Sequence, residues 1–219
     1  MKVYFISGLA ADSRVFKHIQ LPPGFETVYL DWIQPHKKES LQSYALRLAE
    51  KISPHEKFIL IGLSMGGMIA SEIAKRYKPV ATILVSSAST YRQFPGRFRV
   101  AYFFRLHKFV PPNFFKSTSL IKRFFTTESP DDKKIIRQII KDSDPAFIKW
   151  ALGAILRWRN EEQPESLWHI HGTRDEVLPF KKTNPTHSIH QGTHLMVMSK
   201  AAELNKLLLE VLTTAAKKK

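Results

Sequence analysis

Short apolar runs alternate with helix-period segments along the first 90 residues of this chain and again near its end. Val3-Tyr4-Phe5-Ile6 is apolar without a break and stops at Ser7-Gly8, as expected of a strand buried on both faces. A second strand is predicted from Glu26 to Leu30, after the turn Pro22-Pro23-Gly24, a third from Phe58 to Leu63 and a fourth from Ala81 to Ser86. Between them, Val15 to Ile19 can form a short helix, with Asp12 and Ser13 as its caps. Leu41, Tyr44, Ala45 and Leu48 recur at helical spacing behind Ser40, a plausible N-cap, and Gly66 to Arg76 reads as a further helix. Strands that alternate with helices imply crossover connections and a parallel sheet.

The alternation breaks from Thr90 to Gln163. This third of the chain looks helical and holds 14 of the 25 aromatic residues. Phe98, Tyr102 and Arg105 make one helical stripe. Ser129-Pro130-Asp131-Asp132 opens a second helix with acidic residues in its first turn, and Asp144-Pro145 opens a third that runs through Phe147, Trp150, Leu152, Ile155 and Trp158. Afterwards the earlier pattern returns, with a strand at Ser166 to His171, a weaker one at Thr186 to His190 and a closing helix at Ala201 to Leu212. The expected organisation is an α/β core from residues 1–89 and 164–219, a three-layer α/β/α sandwich around a mostly parallel sheet of about six strands. Residues 90–163 form a helical insertion over the carboxyl ends of the strands.

Composition narrows the function classes. The absence of cysteine removes disulfides, thiolate metal sites and cysteine nucleophiles, and fits a cytoplasmic protein. No apolar run reaches the roughly 20 residues that span a bilayer, and the apolar stretch after Met1-Lys2 is too short for a signal sequence. The net charge of +15 comes from scattered lysines and arginines, apart from Lys217-Lys218-Lys219, with no nucleic-acid motif, so no nucleic-acid partner is expected. The insertion itself carries 15 Lys/Arg against 7 Asp/Glu. That excess reads first as a solvated outer face, with attraction of anionic substrates or membrane surfaces as the alternative.

The candidate chemistry sits where strands end. Gly62-Leu63-Ser64-Met65-Gly66-Gly67 lies between the third strand and a helix, with a serine at the apex of the turn. Glycines flank it where bulkier side chains would meet the adjoining strand or helix, and the helix N-terminus can receive negative charge. A strand–turn–helix Gly-x-Ser-x-Gly is a nucleophile elbow. Serine is a weak nucleophile at neutral pH and needs a base, itself held by a partner. Asp175 lies in the loop past the fifth strand, and His194 follows the sixth.

Taken together these segments resemble the α/β-hydrolase superfamily. Gly62–Gly67 resembles its elbow, His171-Gly172-Thr173-Arg174-Asp175-Glu176-Val177-Leu178-Pro179 its acid loop, Gly192-Thr193-His194-Leu195-Met196 its histidine loop, and Ser7-Gly8-Leu9-Ala10-Ala11-Asp12-Ser13-Arg14-Val15-Phe16 its oxyanion loop. The motifs follow the family's order, and the helical insertion falls where the family carries a cap. The resemblance implies Ser64 as nucleophile, His194 as general base and then acid, Asp175 as its orienting carboxylate, and the backbone N–H groups of Leu9 and Met65 as the oxyanion hole. It implies a carboxylic ester or thioester as the small-molecule substrate and neither metal nor organic cofactor. The alternative is a non-catalytic binding or receptor module on the same fold.

Three departures from the family pattern carry expectations of their own. The family's N-terminal hairpin is expected to be missing, and Ser7-Gly8 stands where His-Gly is common. The stretch from Glu176 to Thr186 is too short for a full helix, so either that helix shrinks to a turn or the sixth strand lies elsewhere. Rival assignments are Glu176 and Asp31 for the carboxylate and His190 for the base, though His190 is expected inside the strand. His169 and His171 are expected to be packed or hydrogen-bonded on theirs, Arg174 to form a structural ion pair, and the side chain of Met65 to pack.

Overall fold

The computed structural model describes residues 1–53, 55–103 and 129–217. Within them six strands form one wholly parallel sheet: β1 (Lys2–Ile6), β2 (Glu26–Tyr29), β3 (Phe58–Leu63), β4 (Ala81–Val85), β5 (Leu167–Gly172) and β6 (His187–Ile189), in the order β2-β1-β3-β4-β5-β6. The order steps outward from β1 to β2 and then reverses to β3. Loops leaving the carboxyl ends of β1 and β3 therefore diverge, which is where open α/β sheets place ligands. Ile6 and Gly62 are register partners, so the loop after β1 and the turn after β3 start side by side.

The continuous apolar runs conceal a strict division of labour between faces. Tyr4, Ile6, Phe58, Leu60 and Leu84 point to one layer, where they meet α1 (Leu41–Leu48) and α2 (Met65–Tyr77). Val3, Phe5, Ile59, Ile61, Leu63, Ile83 and Val85 point to the other, where they meet α7 (Ala201–Lys217) through Leu204, Leu208, Val211 and Leu212. Because both faces are covered, alternation survives in the packing but vanishes from the hydropathy pattern.

Three α-helices among the described residues lie between β4 and β5: α3 (Gly96–Phe103), α4 (Pro130–Asp142) and α5 (Pro145–Arg157). The stripe Phe98, Tyr102, Arg105 runs past the described residues at its end. The start signals of α4 and α5 work as read: Ser129 accepts from Asp132 N and Asp144 from Ala146 N, each with Pro at the first helical position. The two helices dock on different layers. Phe147, Ala151, Ala154, Ile155 and Trp158 of α5 and its C-cap join the cluster on the α1/α2 side, whereas Ile136, Ile139 and Ile140 of α4 join the opposite one. Ion pairs reinforce the α4 contact, Asp142 to Arg14 at 2.9 Å and Asp132 to Lys17 at 2.8 Å.

Several boundaries differ from expectation. In place of a helix over Val15 to Ile19 there is one 3-10 turn, Ser13–Phe16, because Asp12 caps it by accepting from Arg14 N and the chain leaves helical geometry before Pro22. Ser40 caps α1 as predicted, accepting from Ser43 N. The short span after Asp175 holds a single helical turn, α6 (Phe180–Thr183), ended by Asn184 at φ 44° and Pro185, and β6 still pairs in parallel with β5. β6 is shorter than Thr186 to His190. Thr186 Oγ1 donates to His169 O and accepts from His169 N, ahead of the strand, and His190 lies beyond its end, exposed. The closing helix extends past Leu212 to Lys217.

Candidate active site

Ser64 occupies the turn between β3 and α2 with φ 52° and ψ −117°, a conformation disfavoured for any residue with a Cβ. The surroundings hold it there. Ser64 N donates to Val85 O (3.0 Å), and its carbonyl accepts from Gly67 N (3.0 Å) and from Ser87 Oγ (2.6 Å). A Cβ on Gly62 would run into the Gly66 backbone, and one on Gly66 into the carbonyls of Ile6 and Ser7. The tight turn thus needs glycine because helix and strands pass within contact of one another, as the sequence implied.

Two loops bring the remaining groups to Ser64. The acid loop after β5 and the histidine loop after β6 are stitched together by Arg174 N to Gly192 O (2.9 Å), Thr173 N to Ile189 O (3.1 Å) and Gln191 N to Thr173 Oγ1 (2.9 Å). Across this junction His194 Nε2 lies 2.9 Å from Ser64 Oγ, and His194 Nδ1 lies 2.8 Å from Asp175 Oδ2. A carboxylate only accepts, so Nδ1 carries the hydrogen and Nε2 is left to accept from the serine hydroxyl. The Asp175 side chain is fully buried, that of His194 is 14% exposed, and Ser64 is half-buried.

Asp175 is bonded to capacity. Oδ1 accepts from Val177 N (2.8 Å) and Leu178 N (2.9 Å), while Oδ2 faces His194 Nδ1 and His171 Nε2 (3.2 Å). Burial alone would push its pKa up. Attraction to His194 and hydrogen bonds from His171 and His194 outweigh that and hold the carboxyl well below its usual range, so it stays ionised. His171 Nε2 also donates to Leu178 O at 2.8 Å, which fixes its hydrogen on that nitrogen. Its neighbour His169 donates to Ser87 O (3.1 Å), and burial, aided by repulsion from His171, pushes its pKa down to about 3. It is therefore neutral and structural, supporting the Ser87 that supports Ser64.

The loop after β1 lies against Ser64: a Cβ on Gly8 would come 3.4 Å from Ser64 Cβ. Neither Leu9 N nor Met65 N donates to any acceptor among the described residues. The Met65 side chain is buried, as expected for packing. The rival residues Asp31, Glu176 and His190 are all exposed. Arg174 is exposed and makes no ion pair with a described residue, because its backbone, not its guanidinium, binds the neighbouring loop. The sequence reading missed His171 as a second donor to Asp175, Ser87 beneath Ser64, and Arg97 of α3, whose guanidinium donates to the carbonyls of Glu176 (2.5 Å) and Val177 (2.6 Å) in the acid loop. Only His171 had a signal, its fixed place four residues before Asp175.

A cavity of about 490 Å³ opens elsewhere, between α1, α2 and α5, lined by residues such as Gln42, Glu72, Lys75, Arg157 and Asn160; Ser64 and its partners take no part in it. No helix among the described residues is long and apolar enough to cross a membrane.

A parallel sheet with a strained serine at its elbow and an acid and a histidine on later strand ends defines an α/β-hydrolase class of fold. Comparison agrees: residues 3–207 match the sequence profile of the alpha/beta hydrolase family, and the chain belongs to that family. No curated protein matches it. Among solved structures it resembles a thermophilic esterase from Thermogutta terrifontis (20% identity, 98% of this chain and 90% of that one, TM-score 0.75). It also resembles an esterase from Exiguobacterium antarcticum (18%, 97% and 92%, TM-score 0.73). A third likeness is to the enol-lactonase from Burkholderia xenovorans (16%, 97% and 91%, TM-score 0.70). At these identities the likeness speaks for the fold.

Proposed function

We propose that the protein is a serine hydrolase that cleaves a carboxylic ester or thioester through an acyl-enzyme on Ser64. The observation that carries this reading is the unbroken chain Ser64 Oγ–His194 Nε2 (2.9 Å) and His194 Nδ1–Asp175 Oδ2 (2.8 Å), with the serine held at a strained apex. Ser64 Oγ attacks the acyl carbonyl while its proton passes to His194 Nε2. The carbonyl oxygen becomes an oxyanion and is met by the N–H groups of Leu9 and Met65, which donate to no acceptor among the described residues. The intermediate collapses, and the alcohol or thiol leaves with the proton from His194. Water then gives a proton to His194 and attacks the acyl carbon, releasing the acid and restoring the serine. Asp175 stays ionised throughout, holding the imidazole in its tautomer and stabilising the imidazolium.

Residues 90–163 act in this scheme as a cap. The support is contact: Arg97 of α3 binds the backbone of the very loop that carries Asp175. The named activities of the structural neighbours, two esterases and an enol-lactonase, favour acyl-oxygen substrates. The test is a fluorophosphonate probe together with p-nitrophenyl esters and acyl-CoA thioesters. Wild type labels at one serine and turns over at least one class, and Ser64→Ala abolishes both while leaving the melting temperature in place. A wild-type chain that takes no label at any pH is a binding module instead.

A further inference from the structure

We propose that Trp32 is a positioning residue for the oxyanion loop, tying the Leu9 amide to the packing of helix α5. The inference rests on the hydrolase reading above. The loop closes through Ala11 N to Gly8 O (3.1 Å), a four-residue turn with Leu9 and Ala10 at its centre. Ala10 takes φ 55°, a left-handed conformation that glycine adopts freely and alanine does not. Left to itself this turn would relax and rotate the Leu9 N–H with it. What opposes relaxation is concentrated on one atom, the carbonyl oxygen of Ala11, which accepts from Ser7 Oγ at 2.9 Å and from Trp32 Nε1 at 2.8 Å.

The indole is itself held from two sides. Next to it in sequence, both backbone groups of Ile33 are bound by one hydroxyl: Tyr44 Oη accepts from Ile33 N and donates to Ile33 O, each at 2.9 Å. The ring packs on Phe147 of α5 with centroids 5.2 Å apart, and on Tyr44 at 6.3 Å. Phe147 is buried and in turn contacts Tyr44 and Trp150. Trp150 Nε1 donates to Glu39 O at 3.0 Å, which anchors α5 to the segment leading into α1. A line of packed groups thus runs from α5 through Trp32 to the loop beside Ser64. The hydroxyl of Ser7 works on the same carbonyl, so the serine that replaces the family's usual histidine has a defined task here.

The decisive variant is Trp32→Phe, which keeps an aromatic ring against Phe147 but has no N–H to offer Ala11. With a p-nitrophenyl butyrate substrate, kcat is expected to fall about 10-fold with KM within about twofold, because a misplaced donor weakens the transition state and spares substrate binding. Phenylboronic acid, whose adduct with the serine places an oxygen in the oxyanion hole, should bind about 10-fold more weakly. Trp32→Phe combined with Ser7→Ala should cost more than either change alone. Unchanged kcat and boronate affinity in Trp32→Phe overturn the proposal, as does a raised KM at constant kcat, which would make Trp32 a pocket wall only. If Trp32→Phe does not fold, Ser7→Ala alone decides: it must lower kcat and boronate affinity together, and wild-type values refute the role of the Ala11 carbonyl. The wild-type control separates the two readings. Wild type labelled by fluorophosphonate beside an unaffected Trp32→Phe sinks only the Trp32 inference, whereas unlabelled, inactive wild type sinks the hydrolase reading beneath it.

Discussion

Replacing Asp175 by asparagine tests the electrostatics of the site with almost no change of shape. The carboxylate accepts two backbone donors on Oδ1, and on Oδ2 it meets His194 Nδ1 and His171 Nε2. An amide can satisfy only one of these sides. With its oxygen toward Val177 N and Leu178 N, its NH2 faces His194 Nδ1, and the imidazole answers by moving its hydrogen to Nε2. That nitrogen then donates toward Ser64 instead of taking its proton. With the amide reversed, NH2 is pressed against two backbone N–H groups. The first arrangement costs less, and it is the inactive one. Loss of the correct tautomer together with the negative charge is expected to lower kcat by about 10⁴-fold, about 5 kcal/mol of transition-state stabilisation. Stability should fall by only about 1–3 kcal/mol, since the two backbone donors keep an acceptor. Steady-state hydrolysis of a p-nitrophenyl ester at pH 7–8, with urea unfolding alongside, reads both numbers. A folded Asp175→Asn protein that retains more than about a tenth of the wild-type kcat would refute the assigned tautomer, and with it the role given to the carboxylate.

Two further outcomes follow from packing and from protonation. Gly66→Ala places a methyl group into the carbonyls of Ile6 and Ser7, which are backbone and cannot step aside; the variant should lose about 3 kcal/mol or more and all fluorophosphonate labelling, and a normally labelled Gly66→Ala would show that the elbow tolerates separation from β1. His169 has its folded-state pKa pushed down to about 3 from 6.5, so the unfolded chain binds an extra proton between those values, and the stability linked to it is complete above about pH 6.5 and lost as pH falls toward 3. His169→Gln, which keeps a donor for Ser87 O, should therefore flatten the decline of melting temperature below pH 6.5, and parallel curves for the two proteins would contradict a buried neutral histidine.

Much of this site was legible because its chemistry sits at strand ends, where short motifs meet sharp changes of hydropathy. Gly62 to Gly67 could be read as an elbow from local sterics, and the steric reason holds in the structure at Gly62 and Gly66. The single turn of α6 was legible as one of two alternatives, because residue count limits what fits between Asp175 and β6. What stayed hidden depends on tertiary neighbours. Trp32 has no spacing that links it to Ala11, 21 residues earlier, and Arg97 reaches backbone atoms 79 and 80 residues away. Exposure also decides between rivals that sequence cannot rank: Glu176 adjoins Asp175, yet only Asp175 turns inward to four donors. Likewise His190 falls outside a strand two residues shorter than Thr186 to His190, whose first residue turns its hydroxyl to the backbone of His169 in β5 instead.

The docking of the insertion gives the proposed oxyanion loop two supports from outside its own sequence. α4 closes on the 3-10 turn that follows the loop, through Asp142 to Arg14 and Asp132 to Lys17, while α5 closes on Trp32, whose indole fixes the Ala11 carbonyl. One flank adds the Arg14–Asp142 and Lys17–Asp132 ion pairs to the packing of Ile136, Ile139 and Ile140, and the other rests on packed aromatic rings. The two respond differently to solvent: added salt weakens the first and leaves the second in place. An oxyanion loop held chiefly by Trp32 should thus keep its catalytic geometry at ionic strengths that loosen α4, so kcat should stay level from about 0.05 to 1 M sodium chloride while melting temperature shifts. A kcat that falls in step with ion-pair screening would place control of the Leu9 amide on the Arg14 side instead.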